Sequence, residues 1–179
     1  MSKRLSVKGN VLGDFSAWCV AVVALALRII FLTSFASTAL FQQVQGGHDR
    51  ALYHQAAQAV AAGAWWPDGS FAYLPLYPWL LGLAYAVAGP RLTVASGLGL
   101  AFETMTAFLL VRLARRLGAS TPWAVAAGLL YALYPRAVAY ATLTMPTSLN
   151  VLLVTALACG LAHTTPRPGW RWAGLGFLA

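Results

Sequence analysis

The chain has 179 residues, of which 60% are hydrophobic and only 9% are charged. A soluble domain carries about 25% charged residues, so this composition excludes a water-facing surface over most of the chain and indicates an integral membrane protein. Lys and Arg (12) outnumber Asp and Glu (4). These basic residues flank apolar runs, which is typical of membrane proteins that contact anionic lipid head groups and argues against nucleic-acid binding.

The apolar runs predict an all-α, polytopic bundle of about five membrane helices with a truncated sixth. We expect helices from about Phe15 to Leu40, Leu76 to Ala88, Leu92 to Leu113, Trp123 to Thr142 and Leu149 to His163. A sixth run begins at Trp170 and is too short to cross a bilayer. We therefore expect residues 1–179 to be the N-terminal part of a single, longer transmembrane domain.

The basic residues give conflicting signals about which end of each helix faces the cytoplasm. Residues 1–14 form a basic leader, which places the N-terminus in the cytoplasm and the segment 41–73 outside. Counted from there, the loop after the third helix faces outside, yet it follows Arg112, Arg115 and Arg116. Either the second and third helices do not both cross fully, or this cluster binds something anionic on the outer side.

The first outer loop, residues 41–73, is the longest polar stretch of the chain. Within it, Asp49 to Ala62 has helical periodicity. The polar stripe consists of Arg50, His54 and Gln58, and the opposite side of Leu52, Tyr53, Ala56 and Val60. This pattern predicts an amphipathic helix that lies flat on the membrane surface.

Asp49 is the acidic residue with the most interesting position, because it starts this amphipathic helix. Asp is a favoured N-cap, which accepts hydrogen bonds from the first free N–H groups. The same carboxylate is also suited to act as a general base at the membrane surface, and the two roles are compatible. Asp68, in the sequence WWPDGSF, is typical of a turn.

Two ionisable residues fall inside predicted membrane helices. Glu103 lies in LAFETMTAF and Arg28 in the first helix, where a charge is costly and is often functional. Glu103 could equally pair with an Arg of a neighbouring helix, and Arg28 could extend its guanidinium to the interface. His48 and His54 do not share a helical face, so their spacing does not predict a metal site.

Several short motifs resemble those of the GT-C superfamily of polytopic glycosyltransferases. They comprise the basic N-terminus and single helix, Asp49 followed by Tyr53, the stretch YLPLYPWLLGL from Tyr73, and LVRLARRLGASTPWAVAAGLLYALYPRAVAYATLTMP from Leu110. The chain is most similar to the protein O-mannosyltransferase and lipid A aminoarabinose transferase type, over about residues 20–150. It departs from many of these proteins in having Arg50 where they carry a second acidic residue.

The resemblance implies an enzyme that transfers a sugar, with inversion, from a polyprenyl-phosphate donor to a hydroxyl of a glycan, lipid or protein. Asp49 would be the catalytic base. The substrate-binding residues implied in this way are His48, Arg50, Tyr53, Tyr73, Tyr77 and Arg136. No cofactor follows from the sequence, and a divalent metal stays open. The implied location is the cell inner (plasma) membrane, multi-pass, with the active loop facing the periplasm or exterior.

The alternative function is non-enzymatic, either a membrane transporter subunit or a scaffold. Transporters usually place ionisable groups near the bilayer midplane and often contain inverted repeats. Here the polar residues concentrate in one outer loop and no internal repeat is visible, which favours the enzyme.

Overall fold

The structure is a computed structural model that describes residues 11–42, 49–66 and 75–162. All regular secondary structure in these ranges is α-helical, as expected. The helices are α1 (Val11–Phe35), α2 (Ala39–Gln42), α3 (Asp49–Ala61), α4 (Leu76–Ala88), α5 (Leu92–Arg116), α6 (Thr121–Ala132), α7 (Pro135–Thr142) and α8 (Thr147–Leu161).

The two longest helices, α1 and α5, form the central pair of the bundle and run antiparallel. Trp18, early in α1, lies with its ring 4.7 Å from that of Phe108, late in α5. Further along α1, Arg28 contacts Glu103, which comes earlier in α5. Each helix has 25 residues and is therefore about 37 Å long, which exceeds the hydrocarbon thickness of about 30 Å.

Two ends of the bundle follow from this pairing. The arginine end is where α1 starts and α5 finishes, with Arg112, Arg115 and Arg116 in the last turns of α5. The α3–α4 end is where α1 finishes and α5 starts. If α1 and α5 cross a membrane, the two ends lie on opposite sides of it.

The expected fourth helix, Trp123 to Thr142, is wrong as a single element. The chain forms α6 and then α7, which are bent by 53° at the break between them. Pro135 is the first residue of α7, and proline inside a helix removes one backbone donor and clashes with the preceding turn. The break is therefore set by a residue whose effect is visible in the sequence.

Among the described residues, two helical segments are long and apolar enough to cross a membrane, Phe15–Phe35 and Leu92–Arg116. The bent α6–α7 pair would make a third if it forms one span. The apolar helices α4 and α8 are shorter. The expected count of about five spans is therefore not confirmed.

Helix α4 begins and finishes at the same end of the bundle. At its start, Tyr77 hydrogen-bonds the backbone of Met145, in the turn between α7 and α8. That turn lies beside the start of α5, because the Ser96 hydroxyl donates to the Thr142 carbonyl at 2.8 Å. At its finish, α4 connects through a few residues to the start of α5. The expectation that α4 is a membrane crossing is therefore not confirmed, and the helix lies across the α3–α4 end.

Helix α8 runs parallel to α5 and returns the chain toward the arginine end. Leu149, at its start, belongs to the same buried cluster as Ala95. Cys159, near its finish, donates its thiol to the Leu109 carbonyl at 3.4 Å.

Helix α7 approaches α5 closely. Small side chains let neighbouring helices approach in this way, and at Gly99 of α5 the backbone of Ala141 in α7 is so near that a methyl group would not fit.

The amphipathic helix expected at Asp49 to Ala62 is present as α3, and it packs against α4. Its buried residues are Ala51, Tyr53, Ala57 and Val60. Tyr53 and Val60 of the predicted apolar side are buried against the protein, and so is Ala57, which the prediction did not include. The reason is a close crossing with α4, where Gly82 leaves no room for a side chain beside Val60 and the Ala57 carbonyl.

Several expectations concern residues outside the described ranges. They are the leader before Val11, His48, Asp68, Tyr73 and the sixth apolar run from Trp170.

Candidate functional site

The candidate catalytic residue, Asp49, is the first residue of α3 and is exposed at the α3–α4 end. A helix N-terminus carries a partial positive charge and free N–H groups, so it favours a carboxylate in its first turn. This local preference explains why Asp49 can start a helix. It leaves the carboxylate accessible from solvent, which a general base needs.

Arg50 follows Asp49 and is half-buried between α3 and the short helix α2. Its Nη2 donates a hydrogen bond to the Phe41 carbonyl at 3.3 Å, and Phe41 in turn packs edge-on against Phe35 at the finish of α1. Burial lowers the pKa of Arg50, and the nearby Tyr77 phenol partly opposes that shift. The guanidinium stays charged at neutral pH.

Two tyrosines lie next to this arginine. The rings of Tyr53 and Tyr77 meet edge to face with centroids 5.4 Å apart, a favourable geometry for aromatic pairs. Tyr77 is buried and its phenol hydrogen-bonds the backbone of Met145. Three predicted site residues, Arg50, Tyr53 and Tyr77, are thus brought together beside Asp49 by α3, α4 and the α7–α8 turn.

A further polar chain joins α3 to α4 and was not predicted as a unit. His54 Nδ1 lies 2.8 Å from the Tyr85 hydroxyl, and Gln58 Nε2 lies 3.0 Å from His54 Nε2. With the Gln58 amide donating, the imidazole is neutral and carries its hydrogen on Nδ1. Burial lowers the pKa of His54, so the environment favours this neutral form.

The remaining predicted residues do not join the group. Arg136 is exposed as the second residue of α7, a helix that packs mainly on α5 and α1, whereas α3 packs on α4. His48 and Tyr73 lie outside the described ranges. Across the part of the chain that the structure describes, no three His, Cys, Asp or Glu side chains converge as metal ligands would.

A second ionic group lies inside the bundle, far from solvent. Arg28 of α1 and Glu103 of α5 form a salt bridge with Nη2 and Oε2 3.2 Å apart and side chains 0% and 2% exposed. The Tyr131 hydroxyl of α6 donates to the same carboxylate oxygen at 2.6 Å. Arg28 Nη1 also donates to the carbonyls of Ala24 at 3.1 Å and Ala132 at 3.4 Å. We call the side chains of Arg28, Glu103 and Tyr131 the buried ionic cluster.

The buried ionic cluster answers the question left open for Arg28 and Glu103. Arg28 does not extend to an interface, because its side chain is fully buried and pairs with the carboxylate. Each charge neutralises the other, which is how buried charges are tolerated. The buried ionic cluster links α1, α5 and α6 through these side-chain contacts, and we interpret it as a structural element that holds the three helices together.

Sequence reasoning missed the partnership of Tyr131 with Glu103 and of His54 with Tyr85. A usable signal was present on α5, where small or polar residues recur at helical spacing. These residues are Ala95, Ser96, Gly99, Glu103, Thr106 and Ala107, all buried in the structure. Such a stripe marks a helix–helix contact face in membranes, and Glu103 lies on it.

Comparison of the chain with protein-family models, with curated proteins and with solved structures finds no match.

Proposed function

We propose that this protein is an integral membrane glycosyltransferase that moves a sugar from a polyprenyl-phosphate donor to an acceptor hydroxyl, with inversion. The observation that carries the proposal is that an exposed carboxylate, Asp49, and a half-buried guanidinium, Arg50, are consecutive residues at the start of α3. A general base and a cation at one end of the bundle suit a displacement that expels phosphate. The resemblance of the sequence motifs to the GT-C superfamily supports the same reaction.

In the proposed reaction, the Asp49 carboxylate accepts the proton of the acceptor hydroxyl. The acceptor oxygen attacks the anomeric carbon from the face opposite the phosphate and forms the new glycosidic bond. The bond between the anomeric carbon and the phosphate oxygen breaks, and its electron pair leaves with polyprenyl phosphate. Because attack and departure occur on opposite faces, the configuration inverts. The acceptor is a hydroxyl of a glycan, a lipid or a protein.

Arg50 would contact the departing phosphate. Tyr77, also predicted as a substrate-binding residue, is buried with its phenol bonded to the backbone of Met145 and would act by positioning Arg50. Charge-assisted hydrogen bonds strengthen as negative charge develops on the leaving oxygen. The hydrogen bond to the Phe41 carbonyl and the electrostatic interaction with Tyr77 position the Arg50 guanidinium before substrate binds. This fixed position is what an electrostatic catalyst requires. His48, Tyr53, Tyr73 and Arg136 stay as further proposed substrate contacts.

We propose a multi-pass topology in the cell inner (plasma) membrane with the α3–α4 end facing the periplasm or exterior. The antiparallel α1 and α5 support two crossings, and the α6–α7 pair and α8 would supply two more. We further propose that α4 does not cross the membrane. The arginine end would then lie on the same side as the basic leader, as the positive-inside rule expects.

The decisive experiment replaces Asp49 with Asn, which keeps the size of the side chain and removes the base. Membranes containing the wild type or D49N are supplied with radiolabelled polyprenyl-phosphate sugars and transfer is measured. Loss of a general base lowers rates by about 10²- to 10⁴-fold. Asn is also a good N-cap, so α3 should be retained, and protein amount in the membrane is the matched control.

Unchanged transfer by D49N would show that Asp49 only starts α3, and the catalytic assignment would then be wrong. An absence of transfer by the wild type across mannosyl, glucosyl and aminoarabinosyl donors would reject the enzyme itself. In that case the alternative function, a transporter subunit or scaffold, takes its place.

One observation favours that alternative. Ionisable groups between membrane helices are typical of transporters, and the buried ionic cluster joins three helices. Its charged side chains are sealed, however, with 0% and 2% exposure. A sealed pair suits a scaffold better than an ion pathway, so within the alternative we favour the scaffold.

A further inference from the structure

The arginine end concentrates positive charge where α5 leaves the bundle. Arg112, Arg115 and Arg116 occupy its last turns. Of the acidic side chains that the structure describes, Glu103 is engaged inside the bundle and Asp49 lies at the opposite end.

The contacts of these arginines hold each guanidinium at the edge of the bundle. Arg115 Nη1 donates to the Thr121 hydroxyl at 2.6 Å, next to the start of α6. Arg116 Nη1 donates to the Cys159 carbonyl at 2.8 Å, near the finish of α8. Arg112 lies over the Phe108 ring, with its Cζ 5.6 Å from the ring centroid. These bonds use Nη1 of Arg115 and Nη1 of Arg116, whereas a guanidinium has five N–H donors.

Aromatic and apolar side chains at the same level match the boundary of a bilayer. Trp18 packs against Phe108 and is 56% exposed, and Trp is enriched where membrane meets water. On α6, Trp123 is 75% exposed. The arginines therefore lie at the height of lipid head groups if α1 and α5 cross a bilayer.

We propose that the arginine end binds the head-group phosphates of anionic phospholipids in the adjacent leaflet. Basic clusters beside a membrane helix attract anionic lipid by about fivefold in affinity per Lys or Arg near the surface. Arginine suits this partner because its planar fork contacts phosphate oxygens in pairs. The proposal needs a membrane but does not rest on sugar transfer.

The test measures lipid binding by the purified full chain in a non-ionic detergent. Phosphatidylglycerol and phosphatidylcholine with identical acyl chains are titrated separately, and bound lipid is counted by native mass spectrometry. Phosphatidylglycerol should bind roughly tenfold or more tightly than phosphatidylcholine, and added salt should reduce that difference. Inorganic phosphate at the same concentrations should not compete strongly, because it lacks the acyl chains that place a head group at this height.

The variant R112Q/R115Q/R116Q should lose the preference for phosphatidylglycerol, whereas R112K/R115K/R116K should keep most of it because the charges stay. The control is R91Q, which removes an exposed arginine at the opposite end of α5 and should bind as the wild type does. Because Arg115 and Arg116 also bond to the protein, the lysine variant and the salt dependence of the wild type test the proposal even if the glutamine variant misfolds.

Equal binding of the two lipids by the wild type would overturn the proposal. So would an unchanged preference in a folded R112Q/R115Q/R116Q, or a loss of preference of the same size in R91Q. Strong competition by inorganic phosphate would show a site for free phosphate instead of lipid.

Discussion

The buried ionic cluster and the group at the α3–α4 end both contain an acid, an arginine and a tyrosine, yet their surroundings are opposite. In the buried ionic cluster, Glu103 receives hydrogen bonds from both Arg28 and Tyr131 and is closed to solvent. At the α3–α4 end, Asp49 is exposed and Arg50 is half-buried, with a carbonyl oxygen as the acceptor for its Nη2.

This difference separates an ionic group that connects helices inside the bundle from one that lies at its surface. The Glu103 carboxylate accepts two internal hydrogen bonds and is closed to solvent, so no ligand can reach it. The Asp49 carboxylate is exposed, and the proposed reaction requires such access. Residue types alone therefore do not identify a site, because the same three types occur in both regions.

The largest effect is expected from breaking the buried ionic cluster. E103Q keeps the size of the side chain but leaves the Arg28 charge buried without a counter-charge, which costs about 3–5 kcal/mol. In a chain of this size the melting temperature should fall by roughly 6–20 °C. Thermal unfolding in detergent, followed by tryptophan fluorescence, measures it.

The control for this prediction is the double variant R28M/E103Q, in which no buried charge is left alone. It should recover much of the lost stability, since uncharged replacements of a buried ion pair are often tolerated. A melting temperature of E103Q within about one degree of the wild type would contradict the assignment of a structural role, and the comparison between the two regions would then fail.

A smaller effect is expected where α5 meets α7. G99A would place a methyl group against the backbone carbonyl of Ala141, and overpacking of this kind costs about 1–3 kcal/mol. The matched control is G97A on the same helix, where a methyl group meets nothing within 4 Å and should be neutral or slightly stabilising. Equal melting temperatures of G99A and G97A would show that the close approach of α7 is not needed.

The helices were largely predictable because apolar runs and their interruptions are local signals. The bounds of α4 were predicted as Leu76 to Ala88 and are those observed, since Pro75 and Gly89 interrupt the chain on both sides. The break before Pro135 was missed although proline in a helix is an equally local signal. The number of crossings was not predictable, because whether α4 crosses depends on its contact with Met145 and the α7–α8 turn.

The candidate site was predictable only in part, for a similar reason. Arg50, Tyr53 and Tyr77 were selected individually, and the structure brings them together through the crossing of α3 and α4. The link between Arg28 and Glu103 joins residues on separate helices, and a single sequence holds no direct record of which helices are neighbours. The opposite charges suggested that Glu103 pairs with an arginine, but the sequence did not identify Arg28 as that arginine.

The smallest expected effect concerns His54, at the α3–α4 end. It tests whether the contact of this histidine with Tyr85 stabilises the packing of α3 on α4. Because burial lowers the pKa of His54 in the folded protein, the unfolded chain, with a pKa near 6.5, holds the proton more tightly. Stability should therefore fall as the pH drops from about 6.5 toward the lower pKa of the folded state. His54 is only half-buried, so we expect roughly 0.5 kcal/mol, the lower limit for one net hydrogen bond.

The measurement compares the melting temperatures of the wild type and H54Q between pH 5 and pH 7.5. His48 and His163 are present in both proteins, so the difference between the two curves isolates His54. We expect the wild type to lose stability relative to H54Q at the acidic end, because a protonated imidazole can no longer accept the hydrogen bond from the Gln58 amide. Parallel curves would show that the contact of His54 with Tyr85 does not hold α3 on α4, and the α3–α4 end would then owe its stability to the apolar crossing at Gly82 alone.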